Sequence, residues 1–300
     1  MNKKTAITER DQTPLRLIIS EFLDNRLAVA GLVVFLIIVL TAVLGPYFTP
    51  QNPYDLAQMD IMDGKLPPGA QSLDGDIYLL GTDEQGRDMF SAIIYGLRLS
   101  LFVGIVAGSL AVAIGVMMGL VAAYFGGKVD TIIMRLVDLQ LSFPTILVAL
   151  MLLAILGKGV DKVVMALIIV QWAYYARTIR STAMVERSKE YIEAAHCLAL
   201  GRRRIIFSHM LPNCLPPVIV VATVNIARAI AIEATLSFLG VGVPQTEPSL
   251  GSLIKGGFDF LLSGKYWISV YPGIALVVTI VAINLVGDHL RDVLNPRLRR

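Results

Sequence analysis

The sequence predicts an all-α, polytopic membrane helix bundle with six spans and both termini on the cytoplasmic side. Three observations predict it. Of 300 residues, 55% are hydrophobic and only 16% are charged, where a soluble domain carries about a quarter. Mean hydropathy is +0.68. Six apolar stretches approach the roughly 20 residues that a helix needs to cross the hydrocarbon layer. Basic residues gather before the first stretch, after the fourth and after the sixth, and acidic residues between the first and second.

The six stretches run in order. The first is Leu27 to Leu44 and ends at Gly45-Pro46, a helix stop. The second is Leu99 to Phe125. The third is Ile133 to Leu156, with Arg135 and Asp138 near one end. The fourth is Val163 to Ala176, short, and extended by the long side chains of Lys162 and Arg177; its length also suits a re-entrant segment. The fifth is Pro217 to Val241 and the sixth Tyr266 to Val286. This divides the chain into a tail (1–26), a first membrane helix (27–48), an outer loop (49–98), a core (99–290) containing a long cytoplasmic loop (186–213), and a second tail (291–300).

Loop charges fix the parity. Lys3, Lys4, Arg10, Arg16 and Arg26 precede the first stretch. Arg177, Arg180, Arg187, Lys189 and Arg202 to Arg204 follow the fourth. Arg291, Arg297, Arg299 and Arg300 follow the sixth. By the positive-inside rule all three regions face the cytoplasm. Between Thr49 and Leu97 the only basic residues are Lys65 and Arg87, against Asp55, Asp60, Asp63, Asp74, Asp76, Asp83, Glu84 and Asp88, so this loop faces outward. About 26 residues precede the first apolar run, and no clear small-x-small site follows it, which argues against a cleaved leader.

Several chemistries find no support. Gly126-Gly127-Lys128 resembles part of a phosphate-binding loop, but Ala122 and Val129 occupy required positions, and the glycines read as a turn. His196, His209 and His289 are scattered, and Cys197 and Cys214 lack metal-ligand spacing. No catalytic constellation, metal site or nucleic-acid stripe is legible. The chain has no site for ATP of its own.

The long cytoplasmic loop is patterned. Tyr191, Ile192, Ala195, Leu198 and Ala199 recur at helical spacing, Glu190 and Glu193 supply a polar face, and Gly201 suits a left-handed helix end. A second segment, Ile205 to Met210, follows, and Leu211-Pro212-Asn213 turns the chain back to the bilayer. Such a helix lies on lipid headgroups or fills a groove on a partner.

Glu193-Ala194-Ala195, Gly201 and His209-Met210-Leu211-Pro212-Asn213 resemble the EAA loop of bacterial ABC importer permeases. Many members carry glycine six residues after the glutamate, where this chain has Ala199. Gly81-Thr82-Asp83-Glu84-Gln85-Gly86-Arg87-Asp88 resembles the GTDxxGRD segment of the dipeptide, oligopeptide and nickel permeases. So do Tyr124 to Gly127 with Asp130 and Arg135, Glu233-Ala234 with Leu236 to Gly240, and Asn284 to Asp288 with Leu290 to Asp292 and Asn295-Pro296. Leu250 and His289 depart from that pattern, at positions where tryptophan and glycine are common. Length and tails resemble the C-type subunit.

The resemblance implies a type I importer permease fold and no enzymatic activity in this chain. It implies a heterodimer with a second permease, two cytoplasmic ATPase subunits that use ATP and Mg²⁺, an external solute-binding protein, and a bacterial inner-membrane location. Di- or oligopeptides are the expected solutes, with nickel or glutathione as alternatives; an ion-coupled secondary transporter is a further alternative that leaves the patterned loop unexplained. Glu193, Ala194, Ala195, Gly201, Leu211 and Pro212 are the expected coupling positions. Arg228 and Glu233 fall within the fifth span. There they line the route or pair across the permease interface; otherwise Glu233 sits near the outer headgroups and Arg228 pairs inside the bundle. Gly81, Asp83, Gly86, Arg87 and Asp88 read as a turn anchored by Arg87, on a loop suited to receive the binding protein.

Overall fold

The computed structural model describes residues 14–72, 75 and 77–294, with side chains from residue 19 onward except Leu56. Lys3, Lys4, Arg10, Asp74, Asp76, Asn295, Pro296, Arg297, Arg299, Arg300 and the side chain of Arg16 lie outside the description.

Helix α1 (Pro14–Asp24) leads into α2 (Arg26–Leu44). Asn25 starts α2 by accepting the Leu27 and Ala28 amides at 3.0 and 3.2 Å. A 3₁₀ turn, Gly45–Tyr47, ends the span at Pro46. The outer segment that follows holds two further 3₁₀ turns and a small antiparallel ladder of β1 (Ala70–Gln71) and β2 (Ile77–Tyr78), with Ala70 opposite Tyr78.

Helix α3 (Met89–Phe125) is the central post: 37 residues, or roughly 55 Å. It begins ten residues before the expected Leu99, because Asp88 caps it through the Ser91 amide at 2.8 Å. It packs along α6 (Val160–Arg187) through glycines. A Cβ on Gly115 would lie 2.5 Å from the Trp172 carbonyl, and one on Gly119 2.0 Å from Ile179 Cγ2. Small residues four apart let two backbones approach where lipid supplies no hydrophobic drive.

The third expected span is not one helix. It consists of α4 (Gly127–Leu141) and α5 (Thr145–Leu156), bent by 91° at Ser142-Phe143-Pro144. Proline lacks the donor for the helix ladder and pushes its predecessor out of helical geometry. Gly126 and Gly127, at φ 64 and 52, make the expected turn before α4. The fourth expected span is not short: α6 has 28 residues and projects beyond the apolar run at both ends. Helices α7 (Glu190–Cys197) and α8 (Arg202–Arg204), a π-helical turn (Ile205–Met210) and α9 (Leu211–Phe238) follow. Leu211-Pro212-Asn213 does not turn the chain, since Arg202–Phe238 runs as a single 37-residue rod. Pro212 stands where the π-helical turn passes into α9, and forgoes one bond of the helix ladder there.

A short helix, α10 (Leu250–Phe258), fills the connection to α11 (Trp267–Leu294), and the sequence did not announce it. A reciprocal Ser249–Ser252 capping box starts it. It sits so close to α9 and α11 that Cβ atoms on Gly251 and Gly257 would lie 2.1 Å from the Ala234 carbonyl and 2.4 Å from the Ser269 amide. Leu250 is fully buried here.

Among the described residues, four helical rods are long and apolar enough to cross a membrane, and five if the bent α4–α5 pair is one span. The chain folds as an all-α membrane bundle. Its two ends differ. One end gathers the acidic outer segment, Gln245 and Trp267. The other gathers α7, the start of α9, and both described ends of the chain: Phe22 and Asn25 meet His289, and Arg291 and Leu294 face Pro216 and Pro217.

Candidate functional site

The α7 region is built on a buried face and an open one. Ile192 and Ala195 are buried, at 0% and 4% exposure, in a cluster with Tyr175, Ile179, Ala183, Ile205 and Met210. Glu190, Glu193, Ala194, Cys197 and Leu198 face outward. Glu190 and Glu193 occupy the first turn and His196 the last, the charge order that the helix dipole favours.

The end of α7 departs from expectation. Gly201 does not close it: its backbone is extended, φ −60 and ψ 143, and a Cβ there would meet nothing within 4 Å. The left-handed residue is Ala199, at φ 55. The Ala199 amide donates to the His196 carbonyl at 2.9 Å and the Leu200 amide to the Ala195 carbonyl at 3.1 Å. This is the Schellman pattern, with alanine where glycine is usual. Ala199 therefore carries strain of about 1–2 kcal/mol.

A polar network ties α7 to both neighbouring rods. Tyr191 donates to Glu186 at 2.6 Å and accepts from Asn213 at 3.0 Å, and Lys189 pairs with the other Glu186 oxygen. Burial and the Glu186 carboxylate push the Tyr191 phenol up to about 12, so it stays a donor at neutral pH. Burial works against the Glu186 charge, but the bonds from Lys189 and Tyr191 prevail and hold its carboxyl below the usual range. Arg187 donates to the Ala123 carbonyl at 3.0 Å and caps α3. Arg180 and Arg177 pair with Asp130 and Asp138 on α4. These bonds join α7 to α6 and α9, and join α6 in turn to α3 and α4. Leu211 is half-buried beside this network and Pro212 exposed.

Sequence reasoning missed Tyr191, Glu186 and Asn213 as a unit. Asn213 belongs to the His209-to-Asn213 motif, but 22 residues separate it from Tyr191, and neither periodicity nor charge pattern links them.

The Gly81 to Asp88 segment lies at the opposite end and turns inward. Asp83 and Arg87 are 2% and 7% exposed and pair at 2.6 Å. Asp83 also accepts the Gln85 and Arg87 amides, and Arg87 reaches the Gln245 carbonyl at 3.1 Å. Trp267 donates to the Thr82 carbonyl at 3.2 Å. Gly81 and Gly86 adopt φ 78 and 77, and a Cβ on Gly86 would lie 1.9 Å from the Asp60 carbonyl.

Arg228 and Glu233 do not meet. Glu233 is fully buried and accepts Ser100 from α3 and Ser237 from α9, each at 2.9 Å. It joins helices and faces no open space in this chain. Arg228 is exposed, its guanidinium 5.3 Å from the Tyr174 ring centre, and among the described residues it forms no ion pair. Among those residues, no cluster of His, Cys, Asp or Glu is suited to a metal.

The chain is similar to known proteins. Residues 111–300 match the family of binding-protein-dependent transport system inner membrane components, and residues 13–68 match the N-terminal membrane domain of oligopeptide transport permease C. The chain is 36% identical over 296 residues to the dipeptide transport system permease protein DppC of Haemophilus influenzae, covering 99% of each. It is 33% identical to the oligopeptide transport system permease protein OppC of Bacillus subtilis, covering 93% of this chain and 88% of that one. Among solved structures, an inward-facing MetNI methionine ABC transporter chain matches at TM-score 0.55 and 20% identity, over 69% of this chain and 98% of that one.

Proposed function

From the family of binding-protein-dependent inner-membrane transport components, to which this chain belongs, we infer its part in the importer in detail. It is a permease, not an ATPase, and forms half of a path for di- or oligopeptides together with a homologous second permease. The relatives' names support peptides over nickel or glutathione, which would use the same path. α2, α3, the α4–α5 pair, α6, α9 and α11 make six crossings, with α7 and both termini in the cytoplasm of a bacterial inner membrane. An external binding protein delivers the solute at the end that carries the acidic segment, and Gly81, Asp83, Gly86, Arg87 and Asp88 hold that end in shape.

The observation that carries the mechanism is α7 itself. One face is packed against α3, α6, α9 and the π-helical turn before α9, and the other offers Glu193 and Ala194 to solvent. Two ATPase subunits bind and hydrolyse Mg-ATP, close on each other, and push α7 along its exposed face. Ala195 anchors that face from behind, and Gly201, Leu211 and Pro212 form the base on which it moves. A push at α7 biases the bundle between two arrangements, as coupling between distant sites requires. Glu193→Arg in the assembled importer should lower peptide uptake at least tenfold with normal membrane levels of the chain. Normal uptake and normal transport-linked ATP hydrolysis in that variant would refute α7 as the coupling surface.

A further inference from the structure

Arg228 stands at mid-length of the bundle without a counter-charge. Its turn of α9 packs beside Gly104 and Gly108, whose nearest neighbours across the interface are Ile226 and Ile230. Those glycines lie halfway along α3. A cation at that depth is costly unless it is paired or faces a polar cavity. Among the described residues no carboxylate pairs with it. Glu233, the nearest acid along α9, is bonded to two serines on the buried side.

What surrounds Arg228 is arranged. The Tyr174 ring flanks its guanidinium at 5.3 Å, and the Tyr174 hydroxyl lies 3.2 Å from that of Thr145, the first residue of α5. The 91° break before Thr145 brings α5 to this level. On the cytoplasmic side a groove of about 480 Å³ runs along α9 past Pro217, Val221, Val224 and Asn225 and is lined also by Arg291 of α11. Positions 217, 221, 224 and 228 fall on one helical stripe, so Arg228 stands on the groove's face of α9, about one turn beyond Val224 and Asn225.

Building on the peptide reading above, we infer that Arg228, held by Tyr174, is the subsite that takes the terminal carboxylate of a peptide in transit. A planar guanidinium binds a carboxylate through two parallel hydrogen bonds. The ring leaves those donors free while offsetting part of the cation's desolvation. The apolar groove receives side chains without choosing among them, which suits a carrier of varied peptides whose common feature is the terminus.

The test uses the whole importer, with its second permease, ATPase subunits and binding protein, in proteoliposomes. Uptake of Ala-Ala is compared with uptake of its C-terminal amide, or of another acid–amide pair that the purified binding protein retains. The binding protein's own preference cancels when the acid-to-amide ratio is compared between variants. Arg228→Gln should lower that ratio at least tenfold, and Arg228→Lys should keep it within threefold of the wild type. An unchanged ratio in Arg228→Gln overturns the inference, as does an equal loss of acid and amide. If either variant no longer co-purifies with the second permease, the counter-charge belongs to that subunit and the inference also fails. A wild-type importer that takes up neither compound refutes the peptide reading itself, before any variant is considered.

Discussion

The outer turn, residues 81–88, and the α7 loop, residues 186–213, both carry motif-like runs of charged and small residues, yet the fold uses them oppositely. In the outer turn Asp83 and Arg87 are buried and their bonds end inside the chain, on each other, on Gln245 and on backbone amides. In the α7 loop the polar groups divide. Glu186, Tyr191 and Asn213 satisfy one another, while Glu190 and Glu193 point away from the bundle. A segment that closes on itself holds shape. A segment with a locked back and an open front has a surface left over for a partner.

The largest expected effect breaks the first half of that comparison. Asp83→Ala strands a buried guanidinium and should destabilise the chain by about 3–5 kcal/mol, seen as a large drop in unfolding temperature in detergent. A loss under about 1 kcal/mol would mean that the outer turn is not the self-contained unit described. Next comes the back of α7. Ile192→Ala removes a fully buried side chain and should cost about 2–5 kcal/mol, with protease nicking near Arg187 or Arg202 as the readout. If the region stays protected, α7 is not held by that face.

A gain of about 1 kcal/mol is expected from Ala199→Gly, since glycine relieves the left-handed backbone. An unfolding temperature that stays level or falls would contradict the strained Schellman end. The smallest effect belongs to Gly201→Ala, which places a methyl in open space on an ordinary backbone and should change stability by less than about 0.5 kcal/mol. Because this chain alone tolerates that methyl, any loss of transport in the variant reports the steric demand of a docked subunit.

Much of this was legible before folding. The apolar stretches at 27–44, 99–125 and 217–241 mark α2, α3 and α9, because periods and lengths of that kind are local properties. The bend at Pro144 was legible in principle, but the apolar residues on both sides of it, Ile133 to Leu141 and Ile146 to Leu156, add up to the length of a single span. α10 was hidden because its glycines, Gly251 and Gly257, have meaning only against Ala234 and Ser269. The reach of α6 was concealed by its own charges: Arg177, Arg180 and Glu186 look like loop residues until Asp130, Asp138 and Tyr191 are seen opposite them.

The sequence by itself determined that this is a membrane bundle with a basic end and an acidic end, because apolar length and net charge act one segment at a time. It also determined that the loop after the fourth span is amphipathic. Which face of that loop is locked and which is open was decided only by tertiary structure, as was the separation of Arg228 from Glu233. Those outcomes depend on partners many residues away, and a helix that fixes its own periodicity cannot fix what stands across from it.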